Sequence, residues 1–152
     1  MKSSRVESTY AWFRLLASLG LGTIGSGGMY VVVVALPAFQ SDFDVLRGTA
    51  SFPYTILMMG FGFGGLLAAK LAARYGLIKM LLFSSIALGL SYLQAALSTS
   101  LLLLNLAHFQ IGVFGLAMVF TPLLADISKW FLHRRGLAIA ICACGNYLAG
   151  TV

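Results

Sequence analysis

Charge is what this sequence has least of. Only 9% of its 152 residues are charged, and four of those are acidic. A soluble domain carries roughly a quarter charged residues, so this chain cannot cover a water-facing surface. Cysteine is nearly as scarce. Cys142 and Cys144 stand two apart within an apolar run, a spacing that points them away from each other on a helix. That excludes a disulfide framework or thiolate metal motif and leaves small buried thiols. Two histidines occur, and the four carboxylates (Glu7, Asp42, Asp44 and Asp126) lie at or outside the ends of the apolar runs. A His-Glu-x-x-His string and paired intramembrane aspartates are therefore excluded. No catalytic residue, metal site or cofactor is expected, and the chain does not read as an enzyme.

What is present is hydrophobicity, 60% of residues, arranged in long runs. Five apolar segments follow one another: residues 15–36, 52–69, 80–97, 101–125 and 137–152. A helix rises 1.5 Å per residue, and about 20 residues cross the hydrocarbon. The first four segments meet or approach that length. The fifth is incomplete, still apolar at Val152. The expected fold class is all-α, a polytopic transmembrane helical bundle. Leu15–Leu36 is about twice the length of a signal-peptide core and precedes no small-residue cleavage pattern, so it reads as a retained first span. Pro37 is expected to end it.

The ten Lys and Arg residues divide unevenly. Lys2, Arg5 and Arg14 precede the first span, Lys70, Arg74 and Lys79 separate the second and third, and Lys129, Arg134 and Arg135 separate the fourth and fifth. With four complete spans, these nine share one side, and Arg47 alone lies on the other. The positive-inside rule makes that side, and the amino terminus, cytoplasmic. The net charge of +6 thus reads as topology and attraction to anionic headgroups of the bilayer, not as nucleic-acid binding.

Small residues repeat every four positions at Ser18, Gly22 and Ser26, and at Gly60, Gly64 and Ala68. In lipid this spacing lets backbones approach closely. Two Gly-x-Gly-x-x-Gly strings, at Gly20–Gly25 and Gly60–Gly65, lie inside apolar spans, so they read as packing faces and not as dinucleotide loops. The fourth span is the most polar. Asn105 and His108 share a face, from which Gln110 diverges. Polar groups in hydrocarbon face protein or a water-filled cavity, so these two either line a solute pathway or hydrogen-bond between helices. Tyr30, on a face with Thr23 and Ser26, and Asn146 and Tyr147 in the fifth segment, carry the same two readings.

The loops carry a resemblance. Leu71-Ala72-Ala73-Arg74-Tyr75-Gly76-Leu77-Ile78-Lys79 resembles the loop between helices two and three of the major facilitator superfamily, roughly Gly-x-Leu-Ala-Asp-Arg-x-Gly-Arg-Arg. Arg74 and Gly76 match, while Ala69 and Ala73 replace its Gly and Asp. Trp130-Phe131-Leu132-His133-Arg134-Arg135-Gly136-Leu137-Ala138, continuing to Gly145, resembles the entrance to helix five in monocarboxylate porters and oxalate/formate antiporters. Glu7-Ser8-Thr9-Tyr10-Ala11-Trp12 is similar to the segment before helix one in the same branch. The Lys that animal monocarboxylate porters carry within helix one has no counterpart after Arg14.

The resemblance implies a twelve-helix secondary transporter of two six-helix halves, with solute bound between them. Residues 1–152 would form part of the N-terminal half, and the missing C-terminal half would be a partner. The expected solute is a small organic anion such as a monocarboxylate, moved by alternating access with protons or a counter-anion at the plasma membrane. Arg74, Gly76 and Lys79 would form a cytoplasmic loop gate. Trp130, Phe131, Arg134, Arg135 and Gly145 would form the helix-five entrance. Alternatives are a multidrug or other efflux carrier of the same superfamily, and a small membrane protein acting through helix–helix partners. The isolated chain is expected to transport nothing.

Overall fold

Inside hydrocarbon each peptide group must find its hydrogen bond within its own segment, which makes the long apolar runs helical. The computed structural model describes residues 7–151. Its elements are α1 (Thr9–Phe43), α2 (Arg47–Ala50), α3 (Phe52–Tyr75), α4 (Leu77–Ala96), α5 (Leu101–Ile111), a π-helical segment (Gly112–Phe120), α6 (Thr121–Trp130) and α7 (Arg135–Leu148). No strand occurs among the described residues. Four stretches among the described residues are long and apolar enough to cross a membrane: Thr9–Phe43, Arg47–Tyr75, Leu77–Ala96 and Leu101–Trp130.

Local chemistry sets the ends. Ser8 caps α1, its Oγ accepting from the Ala11 N–H at 3.4 Å. Contrary to expectation, Pro37 does not end α1 but lies inside it. Proline removes only its own donor and strains one turn, and the helix continues to Asp44. There a left-handed backbone (φ 47°) lets the Asp44 N–H bond the Gln40 carbonyl. Pro53 lies in the first turn of α3, where its missing donor costs nothing. Gly76 (φ 82°) separates α3 from α4 in a conformation that disfavours any side chain. Ser100 caps α5 through the Leu103 N–H.

The fourth span is central. It is buried over 56% of its apolar stretch, against 28, 22 and 22% for the first three. Its π-helical segment is held by glycine contacts on both sides. A Cβ on Gly112 would collide with the Leu57 carbonyl of α3, and one on Gly115 would lie 2.8 Å from the Gly25 carbonyl of α1. The four-residue repeats form these interfaces: Ser18, Gly22 and Ser26 of α1, and Gly60, Gly64 and Ala68 of α3, are all buried. The wider π winding strains the regular ladder of carbonyls. Ser84 of α4, fully buried, donates its hydroxyl to the Phe114 carbonyl in that segment.

Candidate functional site

The two helix-end motifs of the sequence meet at the end of the bundle where α1 begins and α6 gives way to α7. Phe131 leaves α6 in an extended conformation and is fully buried against Ala11, Leu15, Leu123, Ile127 and Ala138. Trp12 meets its ring edge-on, with centroids 5.2 Å apart. Tyr10 lies against Trp130 at 5.4 Å, and the Arg14 guanidinium lies over the same indole at 5.1 Å. Arg14 Nε then donates to Asp126 Oδ2 at 2.6 Å, the one ion pair among the described residues. Glu7, in a left-handed turn (φ 55°), places one carboxylate oxygen 2.8 Å from the backbone N–H groups of both His133 and Arg134. The Arg134 N–H, the stronger influence, and the His133 N–H hold the Glu7 carboxyl below its ordinary range. Arg134 and Arg135 themselves point to the exterior.

Gly145, the last residue of that motif, has a spatial role. A Cβ there would lie 2.7 Å from the Leu19 carbonyl, so glycine lets α7 seat against α1. Farther along the same interface, Tyr30 joins Thr23, Ile24, Gly27, Ala149 and Gly150 around a cleft of about 520 Å³.

The polar residues along the helices separate into three situations. His108 is buried, and its Nδ1 lies 2.8 Å from the Leu104 carbonyl. A carbonyl only accepts, so Nδ1 carries the proton there. The ring also lines a cleft of about 250 Å³ between α1, α4 and α5, together with Tyr92. Asn105, expected on the same face, does not line that cleft. Ser26 Oγ, Asn105 Oδ1 and Asn146 Oδ1 are buried and find no hydrogen-bond partner among the described residues. Tyr147, by contrast, is 72% exposed and turned away from the bundle.

Arg74, Gly76 and Lys79 lie together at the α3–α4 turn. Arg74 stands 5.5 Å from the Tyr75 ring, and neither cation meets a carboxylate among the described residues. Sequence reasoning missed the Arg14–Asp126 pair, Tyr92 and the π-helical segment. Only the pair left a signal, as opposite charges at the ends of two apolar runs.

A bundle of apolar spans joined by short turns, with its charged side chains at the ends, defines an integral membrane protein of helical type. The chain belongs to the Major Facilitator Superfamily, whose family model matches residues 15–152. It is 32% identical over 118 residues to MFS-type transporter 1 of Ophiocordyceps sp. (strain BCC 1869), covering 75% of this chain and 26% of that protein. It is 30% identical over 144 residues to monocarboxylate transporter 13 of Rattus norvegicus, covering 91% and 32%. It is 32% identical over 79 residues to the fujikurins efflux protein of Gibberella fujikuroi, covering 52% and 17%. The chain thus spans about a third or less of the length of these relatives.

Proposed function

We propose that this chain is part of the N-terminal half of a secondary transporter that moves a small organic anion, such as a monocarboxylate, by alternating access. The observation that carries the reading is the set of buried polar atoms without partners, Ser26 Oγ, Asn105 Oδ1 and Asn146 Oδ1. Leaving such groups unpaired costs about 1–3 kcal/mol each. A hydrated solute pathway offsets that cost, and pure helix packing does not. Tyr30, Asn105, His108 and Asn146 are the pathway residues in this proposal. Tyr147, exposed on the outer face, would act only against a further part of the protein. The amino terminus is cytoplasmic, because the basic end of the bundle carries Arg14, Lys70, Arg74, Lys79, Lys129, Arg134 and Arg135 while the other carries Arg47. The membrane is the plasma membrane, and coupling is to protons or a counter-anion. The isolated chain transports nothing, because the solute would bind between two halves.

The similarity to monocarboxylate transporter 13 supports the anion assignment. The similarity to the fujikurins efflux protein favours, as a second reading, export of a larger organic compound. Counterflow of labelled lactate, pyruvate, oxalate or formate by the complete protein in liposomes decides between them. Accumulation of at least one is expected, and accumulation of none would sink the anion assignment. Asn146→Ala in that protein is expected to lower uptake at least tenfold at equal expression, whereas a packing role would change stability and leave uptake per folded molecule unaltered.

A further inference from the structure

The α3–α4 end of the bundle carries positive charge that no carboxylate among the described residues neutralises. The chain has four carboxylates. Asp126 is committed to Arg14, and Glu7 to the backbone at His133 and Arg134. Asp42 and Asp44 lie at the opposite end of the bundle, where α1 finishes. Lys70, Arg74 and Lys79, all exposed, therefore flank the α3–α4 turn without an acidic partner among the described residues. Ala73 stands among them, offering no charge.

Beside these cations lies an apolar groove of about 430 Å³, lined by Leu71, Tyr75, Lys79, Met80, Phe83 and Met118. Its geometry is directional. Tyr75 and Lys79 form its mouth at the basic end. Leu71 and Phe83 lie one helical turn deeper, about 6 Å toward the bundle centre. Met118 of the π-helical segment, which is buried, backs it. Phe83 is 59% exposed and is braced edge-on by Phe114 with centroids 5.8 Å apart. The groove thus has a cationic, hydrogen-bonding mouth and a flexible thioether and aromatic interior. A protein side with unpaired Lys and Arg at the headgroup level and an apolar channel below it is complementary to one kind of molecule in a bilayer.

We propose that this groove is a binding site for an anionic phospholipid. The phosphate sits between Lys79, Arg74 and the Tyr75 hydroxyl, and one acyl chain lies along Leu71, Met80 and Phe83. The fit requires both halves of the ligand: a free anion gains nothing from the groove, and a zwitterionic lipid gains little from the cations.

The test is native mass spectrometry of the complete protein released from micelles holding equal amounts of palmitoyl-oleoyl phosphatidylglycerol and phosphatidylcholine. Phosphatidylglycerol adducts are expected in clear excess. Lys79→Gln and Arg74→Gln should each reduce that excess roughly fivefold. Lys129→Gln removes an exposed charge from the same end, away from the groove, and should leave it unchanged. Leu71→Trp fills the groove and should abolish the excess with every charge in place. Circular dichroism on each variant confirms that helix content is kept; if Leu71→Trp fails to fold, Phe83→Trp makes the same test from the exposed side of the groove. Equal retention of the two lipids overturns the proposal. So does a loss with Lys129→Gln as large as with Lys79→Gln, which would mean diffuse surface attraction. Displacement of the adduct by inorganic phosphate with no effect of the groove-filling change would mean a bare anion site, and overturns it as well. A groove sealed by the rest of the protein would give no phosphatidylglycerol adduct at all, and that result overturns the proposal too.

Discussion

The α6–α7 corner and the α3–α4 turn look alike in sequence and differ in kind once folded. Each is a short basic connection between apolar spans, with Lys129, Arg134 and Arg135 in one and Lys70, Arg74 and Lys79 in the other. The first is tied down. Glu7 accepts from two of its backbone N–H groups, Arg14 reaches Asp126, and Trp12, Tyr10 and Trp130 stack around the buried Phe131. The second is a glycine turn bordered by an open groove and by cations that meet no carboxylate among the described residues. Both share their basic charge and lie at the same end of the bundle. The placement of carboxylates decides whether a basic loop becomes a structural joint or a surface for something else to bind.

The contrast can be broken most forcefully at Asp126. Its pair with Arg14 is part-buried, with side chains 28% and 19% exposed, so Asp126→Asn is expected to destabilise the chain by about 2 kcal/mol. Thermal unfolding in detergent measures this. Asp126→Asn and Arg14→Gln should be strongly non-additive when combined, and additivity would mean that the pair contributes nothing. A smaller effect lies at Glu7. Its carboxyl is held below the ordinary value, so its stabilisation is present above that value and fades as pH falls through the depressed one. The wild type should therefore melt higher than Glu7→Gln at neutral pH, and the two curves should converge as the pH falls below about 4; a constant gap down to pH 2 contradicts this.

Ala73→Asp turns the second region toward the first, by placing a carboxylate among Lys70, Arg74 and Lys79. Stability should rise by no more than about 1 kcal/mol, since the new pairs are exposed. The same change should lower retention of phosphatidylglycerol, and higher retention would contradict the charge argument. Least of all, Lys79→Gln should leave the unfolding midpoint unchanged, within about 0.5 kcal/mol in stability. A fall as large as that for Asp126→Asn would show that the α3–α4 turn is itself a joint.

Sequence patterns made the bundle legible where a physical rule acts locally. Apolar runs marked the spans because hydrocarbon forbids unsatisfied backbone. The repeats at Ser18–Ser26 and Gly60–Ala68 marked buried faces because only small residues admit backbone contact. Pro37 misled because a helix ends where its last carbonyls are satisfied, and Asp44 does that seven residues later. The π winding left no trace, since glycine spacing in Gly112–Phe120 fits an α-helix equally well. Asn105 and His108 were legible as neighbours on a face. That His108 turns to its own helix carbonyl while Asn105 Oδ1 finds no partner among the described residues depends on surrounding helices that no local pattern encodes. The Arg14–Asp126 pair joins residues 112 positions apart, so only the fold brings it into view.

That separation also has a history in time. Glu7 and Arg14 emerge from the ribosome early, yet the groups that hold them are 112 to 127 residues behind. At about 5–20 residues per second, the first span waits roughly 6–25 s for its clamp to be made. Through that interval its small-residue face has lipid, or whatever attends insertion, as its neighbour. The joint at Trp130 and Phe131 therefore closes late, and the register of the first helix stays open until synthesis has passed the fourth.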